Sequence, residues 1–177
     1  MYQLIIYVKG DIELKYGAIK PVDIADGPGV RVSLFVSGCR NHCKGCFQPQ
    51  TWDFDYGKEF TIETLGELLD ALNHPYIKGL TILGGDPFEP ENLPTVCKIC
   101  QDVKSAYPNK TIWVYTGYHY EDFKQHEIMN HIDVLVDGQF VEELKNLSIS
   151  YRGSTNQRII DVKTGENICN QWDHYSL

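Results

Sequence analysis

The sequence predicts an α/β domain built on a mostly parallel sheet. Short β-branched or apolar runs alternate with amphipathic segments in the order β-α-β-α-β-α-β. This order favours parallel strands joined by right-handed crossovers. The chain has 177 residues and contains neither an internal repeat nor a Pro/Gly/Ser-rich linker. A domain commonly contains about 150 residues, so we expect a single domain.

The strands are predicted from runs of β-branched and aromatic residues. A first strand is expected at residues 2–8, and a turn at 9–11 would let residues 12–19 pair back as a hairpin. The run at 80–83 is apolar and lies between glycines, as is typical of a buried parallel strand. The other predicted strands cover residues 30–37, 111–115 and 132–136.

Three helices are predicted from apolar residues at helical spacing. They cover residues 61–73, 91–107 and 121–129, and Thr61 is the expected N-cap of the first. Ligands of parallel α/β sheets bind beyond the carboxyl ends of the strands. The loops that follow the predicted strands are therefore candidate parts of a site.

Charge and hydropathy exclude several classes of function. Sixteen Lys and Arg against 24 Asp and Glu give a net charge of -8, which argues against a protein that coats nucleic acid. No apolar run approaches the roughly 20 residues that span a bilayer. Residues 1–20 carry acidic side chains and no long apolar core, unlike a signal peptide. We therefore expect a cytoplasmic protein without nucleic-acid or membrane partners.

Three of the six cysteines, Cys39, Cys43 and Cys46, lie within eight residues. Three thiolates on one short loop can hold three corners of a 4Fe-4S cluster and leave the fourth iron open to a substrate. Two alternatives remain open on spacing alone. One is a zinc site with His42 or a distant residue as the fourth ligand, and the other is three unconnected thiols.

The spacing Cys-x₃-Cys-x₂-Cys after a strand resembles the signature of the radical S-adenosylmethionine (radical SAM) superfamily. Further motifs are similar, in order and spacing, to glycyl-radical-enzyme activases, and in particular to the branch that activates anaerobic ribonucleoside-triphosphate reductase. The similarity covers residues 21–160. The motifs are Gly27-Pro28-Gly29-Val30-Arg31, Gly84-Gly85-Asp86-Pro87, Trp113-Val114-Tyr115-Thr116-Gly117-Tyr118, Val134-Leu135-Val136-Asp137-Gly138 and Arg152-Gly153-Ser154-Thr155-Asn156-Gln157.

The resemblance implies an incomplete (partial) β/α TIM-like barrel of the radical SAM type. A full barrel of about 250 residues would exceed this chain. The single domain, residues 1–177, would comprise an N-terminal extension at 1–20, a core at 21–162 and a C-terminal tail at 163–177. The sequence departs from the superfamily at one position. Many members have an aromatic residue directly before the third cysteine, whereas here Gly45 precedes Cys46 and the aromatic residue Phe47 follows it.

The implied function is that of a radical SAM oxidoreductase that activates anaerobic ribonucleoside-triphosphate reductase. Reductive cleavage of S-adenosylmethionine at the cluster would yield a 5′-deoxyadenosyl radical, which would remove a hydrogen atom from a glycine of the reductase. The partners would be the reductase and an unidentified electron donor. The alternatives are an activase of another glycyl radical enzyme, a small-molecule radical SAM enzyme, an iron–sulfur electron carrier or a structural zinc protein.

The resemblance also assigns the cofactor sites. Cys39, Cys43 and Cys46 would bind the cluster, and no side chain is expected to act as an acid or base. The expected S-adenosylmethionine contacts are Phe47, Gly84, Gly85, Asp86, Pro87, Thr116 and Asp137. Asp137 suits a cation or a hydroxyl better than a carboxylate, because it is itself negatively charged. For Thr116 and Asp137, each of which precedes a glycine, an ordinary turn is the alternative interpretation.

Several residues are predicted to be either structural or in contact with the partner. Gly27 and Gly29 are expected in a tight turn, and Arg31 in a salt bridge or at the partner interface. Arg152 and Asn156 lie in a polar loop that would face substrate, partner or solvent.

Three cysteines lie outside the cluster motif. Cys97 and Cys100 fall on the apolar stripe of a predicted helix, where cysteine behaves as a small hydrophobe, so we expect core packing. Cys169 has no predicted role.

Overall fold

A mixed eight-stranded sheet is the framework of the computed structural model, which describes residues 13–173. The strand order is β3-β1-β2-β4-β5-β6-β7-β8. The predicted strand at residues 2–8 and the turn at 9–11 lie outside the described residues. The strands are β1 (Lys15–Asp23), β2 (Val30–Val36), β3 (Lys58–Glu59), β4 (Ile77–Gly84), β5 (Thr111–Tyr115), β6 (Val134–Asp137), β7 (Arg158–Asp161) and β8 (Glu166–Asn167).

Three α-helices occur within residues 13–173: α1 (Ile62–Leu72), α2 (Leu93–Ala106) and α3 (Tyr120–Phe123). Thr61 caps α1 as predicted, because its hydroxyl accepts a hydrogen bond from the Thr64 N–H at 3.3 Å. The helix predicted at 121–129 is split into α3 and a 3₁₀ turn. The 3₁₀ turns are Pro49–Trp52, Glu127–Asn130, Glu142–Leu144 and Cys169–Gln171.

The prediction of a partial TIM-like barrel with a mostly parallel sheet is wrong. The sheet is mixed: three strand pairings are parallel and four are antiparallel. For two of the antiparallel pairs, β1–β2 and β7–β8, the physical reason lies in the connections. A parallel pair needs a crossover of about a dozen residues or more, whereas the segments 24–29 and 162–165 are too short to supply one. Only β2, β4, β5 and β6 run parallel among the described strands.

The two faces of the sheet are covered differently. Helices α1 and α2 pack on one face and form the main core with the inward side chains of the parallel strands. On the other face a smaller cluster of Trp113, Val136, Ile159 and Cys169 packs against the chain that follows β8. Cys100 is fully buried in the main core and Cys97 packs against it, so the prediction of core packing is confirmed.

Arg31 is a buried cation that binds the sheet itself. Its Nε donates to Thr81 Oγ1 at 2.7 Å, and its Nη2 donates to the Leu80 and Thr111 carbonyl oxygens at 2.8 and 2.9 Å. Burial lowers the pKa of Arg31 to about 10. The expected salt bridge and partner contact are both wrong, since its acceptors are neutral and it is 1% exposed. Gly27 lies against it, where a Cβ would approach Arg31 Cδ to 2.8 Å.

Candidate functional site

A cavity of about 730 Å³ lies beside the carboxyl ends of β2, β4 and β5 and extends along the face of the sheet opposite the helices. It brings together most of the predicted site residues. Those that line it are Cys39, Cys43, Cys46, Phe47, Gly84, Gly85, Asp86, Thr116 and Arg152. Those that do not line it are Gly27, Gly29, Arg31, Pro87, Asp137 and Asn156. The site therefore lies where the parallel-strand rule places it.

The cysteine loop is fixed by main-chain hydrogen bonds as soon as β2 ends. The Gly38 N–H donates to the Thr51 carbonyl at 2.8 Å, and the Gly38 carbonyl accepts from the Asp86 N–H at 2.8 Å. Gly38 has φ +98°, and a Cβ there would lie 2.2 Å from the Phe54 ring. Glycine is therefore needed at this position both for its backbone conformation and for space.

The three thiols of Cys39, Cys43 and Cys46 line the same cavity. Three thiol donors on one short loop fit the ligand set of an iron–sulfur cluster.

Burial raises the pKa of the Cys39 thiol to about 11 and also raises the pKa of Cys43. Hydrogen bonds from the main chain and the side chain of Asn41 lower the pKa of Cys39 and so oppose the effect of burial. The Asn41 Nδ2 lies 3.5 Å from the Cys39 sulfur. Metal ligands must be thiolates. Binding of a metal centre here therefore has to displace protons, and free thiols are the favoured form without one.

The Gly84-Gly85 turn packs directly on the cysteine loop. The Gly85 N–H donates to the Val36 carbonyl at 2.7 Å. A Cβ on Gly84, which has φ +110°, would lie 2.6 Å from the Val36 oxygen, and a Cβ on Gly85 would lie 2.6 Å from the Gly38 oxygen. These glycines thus allow two loops to meet, in addition to exposing main chain along the cavity.

Asp86 connects three loops through four hydrogen bonds. Its Oδ1 accepts from Thr116 Oγ1 at 2.7 Å and from the Phe88 N–H at 2.9 Å. Its Oδ2 accepts from the Gly117 N–H and Asn41 Nδ2, both at 2.8 Å. Burial nevertheless raises the pKa of Asp86 to about 6. The carboxylate is occupied by protein donors, so a ligand beside this turn would meet main chain rather than the Asp86 charge.

Asp137 is also occupied by the protein. It is fully buried, and it accepts from Arg158 Nε at 2.9 Å and from the Tyr120 N–H at 2.8 Å. Its partner is thus a cation, as its charge favours, but that cation is Arg158. Asp137 itself does not line the cavity, whereas the neighbouring Gly138 does.

Sequence reasoning missed the buried polar residues that hold the two loops together. Asn92 Nδ2 donates to the carbonyls of Ser37 and Asp86, both at 2.9 Å. Glu89 is fully buried and accepts from the Arg40 N–H at 2.7 Å. The sequence does carry a signal for these residues, because polar side chains lie between the Gly-Gly-Asp-Pro turn and the start of the next helix.

The polar loop at 152–157 has a structural part and an exposed part. Arg152 donates to the Cys169 sulfur at 2.9 Å and forms an ion pair with Asp173. Its guanidinium therefore holds the chain after β8, although the side chain also borders the cavity. Asn156 is exposed and donates to the Gln139 carbonyl at 2.8 Å.

The chain is 42% identical over 146 residues to the anaerobic ribonucleoside-triphosphate reductase-activating protein of Enterobacteria phage T4, covering 82% of this chain and 93% of the relative. It is 42% identical over 148 residues to the protein of that name from Escherichia coli (strain K12), covering 81% and 96%. The family described as "4Fe-4S single cluster domain" matches residues 25–160.

The chain belongs to the family of anaerobic ribonucleoside-triphosphate reductase-activating proteins. The branch predicted from the motifs is therefore confirmed, and the match to the 4Fe-4S domain covers every residue that lines the cavity except Lys20. No helix within residues 13–173 is long and apolar enough to cross a membrane.

Proposed function

We propose that this chain generates the glycyl radical of an anaerobic ribonucleoside-triphosphate reductase, using a 4Fe-4S cluster and S-adenosylmethionine. The observation that carries the proposal is the meeting of Cys39, Cys43, Cys46 and the Gly84-Gly85 turn along one cavity. The names of relatives over 40% identical support the choice of partner. The class of enzyme is then a radical SAM activase.

The chemistry belongs to the cofactors. A 4Fe-4S cluster held by Cys39, Cys43 and Cys46 would supply the one electron that reductive cleavage of the 5′-carbon–sulfur bond of S-adenosylmethionine requires. The products would be methionine and a 5′-deoxyadenosyl radical, and that radical would take a hydrogen atom from a glycine Cα of the reductase to give 5′-deoxyadenosine. An external one-electron donor must supply the electron.

The residues of the chain would bind and orient the cluster and the substrate. Cys39, Cys43 and Cys46 would hold three irons, leaving one to the substrate. The Gly84-Gly85 turn brings main chain to the cavity wall, where carbonyl oxygens can accept from the ammonium group of the substrate. The net charge of -8 favours the approach of a cationic sulfonium. The described cysteines are all free thiols, which suits the reducing cytoplasm.

The test is anaerobic reconstitution with iron and sulfide, followed by reduction in the presence of S-adenosylmethionine. We expect 5′-deoxyadenosine, and a glycyl radical in the electron resonance spectrum after addition of the anaerobic reductase from the same organism. Formation of 5′-deoxyadenosine without a radical on that reductase would indicate another glycyl radical enzyme or a small-molecule substrate. If no 5′-deoxyadenosine forms, the chain is an electron carrier or a zinc protein.

A further inference from the structure

Asn41 lies between Cys39 and Cys43 in the cysteine loop, and its side-chain amide contacts the first of these thiols. The Asn41 Nδ2 donates to the Cys39 sulfur at 3.5 Å and to Asp86 Oδ2 at 2.8 Å. An amide nitrogen carries two hydrogens. One hydrogen of Asn41 can therefore serve the carboxylate while the other serves the sulfur.

Asp86 determines which end of the Asn41 amide faces the sulfur. An ionised carboxylate can only accept hydrogen bonds, and both oxygens of Asp86 also accept from other donors. The nitrogen of the amide, rather than its oxygen, must therefore point towards Asp86 and Cys39. The fit is close, because a Cβ on Gly117 would lie 2.3 Å from Asn41 Nδ2.

The opposite end of the same amide is held by Gln139. Its Nε2 donates to Asn41 Oδ1 at 2.9 Å, across 98 positions of the chain. A side chain held at both ends has little freedom to rotate, so its donor stays directed at the sulfur. Gln139 and Asn41 both line the cavity.

The polar loop at 152–157 fixes the main chain that carries Gln139. Asn156 Nδ2 donates to the Gln139 carbonyl at 2.8 Å, and Gln157 Nε2 donates to the Gly138 carbonyl at 3.0 Å. A connected series of hydrogen bonds thus runs from this loop to the cysteine loop, and buried or partly buried networks of this kind make their members rigid.

A hydrogen bond to a ligand sulfur changes the reduction potential of an iron–sulfur cluster. Reduction adds negative charge, part of which the sulfurs carry, and a donor interacts more strongly with a sulfur of greater negative charge. A donor at a ligand sulfur therefore stabilises the reduced cluster more than the oxidised cluster, and makes the cluster easier to reduce.

We propose that Asn41 raises the reduction potential of the cluster through its hydrogen bond to Cys39, and that Gln139 is a positioning residue that holds the Asn41 amide in place. The inference rests on the proposed function, because that function requires a cluster on Cys39 and its reduction by an external one-electron donor.

The test is a redox titration of the reconstituted cluster followed by electron resonance, without S-adenosylmethionine or reductase. Asn41→Ala removes the donor, and we expect its cluster to be about tenfold harder to reduce, which is about 59 mV for a one-electron couple. Gln139→Met keeps a side chain of similar length without the donor. We expect its cluster to be about threefold harder to reduce, because the Asn41 amide remains but is held less firmly.

The matched controls are Asn109→Ala and Gln125→Met, at exposed positions outside the lining of the cavity. Both should keep the wild-type potential. A merely structural role of Asn41 would lower the iron content without moving the potential of the clusters that form. An unchanged potential in Asn41→Ala would overturn the role of Asn41, and an unchanged potential in Gln139→Met would overturn the role of Gln139. Gln139→Met alone decides the proposal if Asn41→Ala does not bind iron.

The proposed function fails by a different result. A wild-type cluster of measurable potential that forms no 5′-deoxyadenosine with S-adenosylmethionine would refute the proposed function and leave the comparison of potentials intact. Normal formation of 5′-deoxyadenosine by wild type, with the same potential in Asn41→Ala and both controls, would refute the inference about Asn41 alone.

Discussion

The segments Cys43-Lys44-Gly45-Cys46 and Cys97-Lys98-Ile99-Cys100 have the same cysteine spacing and a lysine at the same position. The first lies on a loop along the cavity, whereas the second lies on α2. In the helix, positions three apart share a face, so both cysteines turn towards the core. The same spacing thus yields a candidate metal site in one place and core packing in the other, and the difference lies in the backbone and its neighbours.

The largest expected effect concerns metal content. Cys46→Ala removes one of the proposed ligands, so we expect most of the iron and sulfide bound by wild type after anaerobic reconstitution to be lost. Cys97→Ala is the matched control and should retain wild-type iron. Equal iron in Cys46→Ala and wild type, or loss of iron in Cys97→Ala, would remove the distinction between the two segments.

A smaller effect is expected where the cavity loops depend on hydrogen bonds. Asp86→Asn turns an amide donor towards groups that are themselves donors, and a lost bond to a buried carboxylate costs about 2–3 kcal/mol. We expect the free energy of unfolding in urea to fall by that amount. Asp55→Asn, at an exposed ion pair with Lys15, should change it by less than about 0.5 kcal/mol. Equal effects would show that Asp86 does not hold the loops.

The smallest effects are expected in the helical segment. Cys100→Ser places a hydroxyl in an apolar core, which costs about 1–3 kcal/mol, whereas Cys97→Ser changes a half-buried side chain and should cost less. Urea unfolding measures the difference, and iron content should stay unchanged in both variants. An equal loss of stability in the two variants would contradict the burial difference between Cys97 and Cys100.

Local patterns predicted the elements of the parallel part of the sheet. Strand β5 and helix α1 lie where the apolar periodicity places them, because each buries one continuous apolar stripe. The antiparallel flanks were not predicted. Their direction is set by the short connections and by pairing between strands distant in the chain, such as Tyr16 with Lys58, which no local period encodes.

In the candidate site, too, local patterns predict some features and not others. The cysteine loop and the Gly84-Gly85 turn were expected together, because both follow parallel strands. The structural use of Asp86 and Asp137 was not, because no local pattern pairs them with their donors. These donors are main-chain N–H groups and the side chains of Asn41, Thr116 and Arg158.

The four hydrogen bonds of Asp86 have a consequence for the order of assembly. The same carboxylate holds Asn41 of the cysteine loop and Thr116 and Gly117 after β5. On the proposed function, we therefore expect loading of the cluster and formation of the substrate pocket to be linked equilibria, each promoting the other by the same factor. Apoprotein should accordingly have a lower affinity for S-adenosylmethionine than the loss of one iron contact alone would cause.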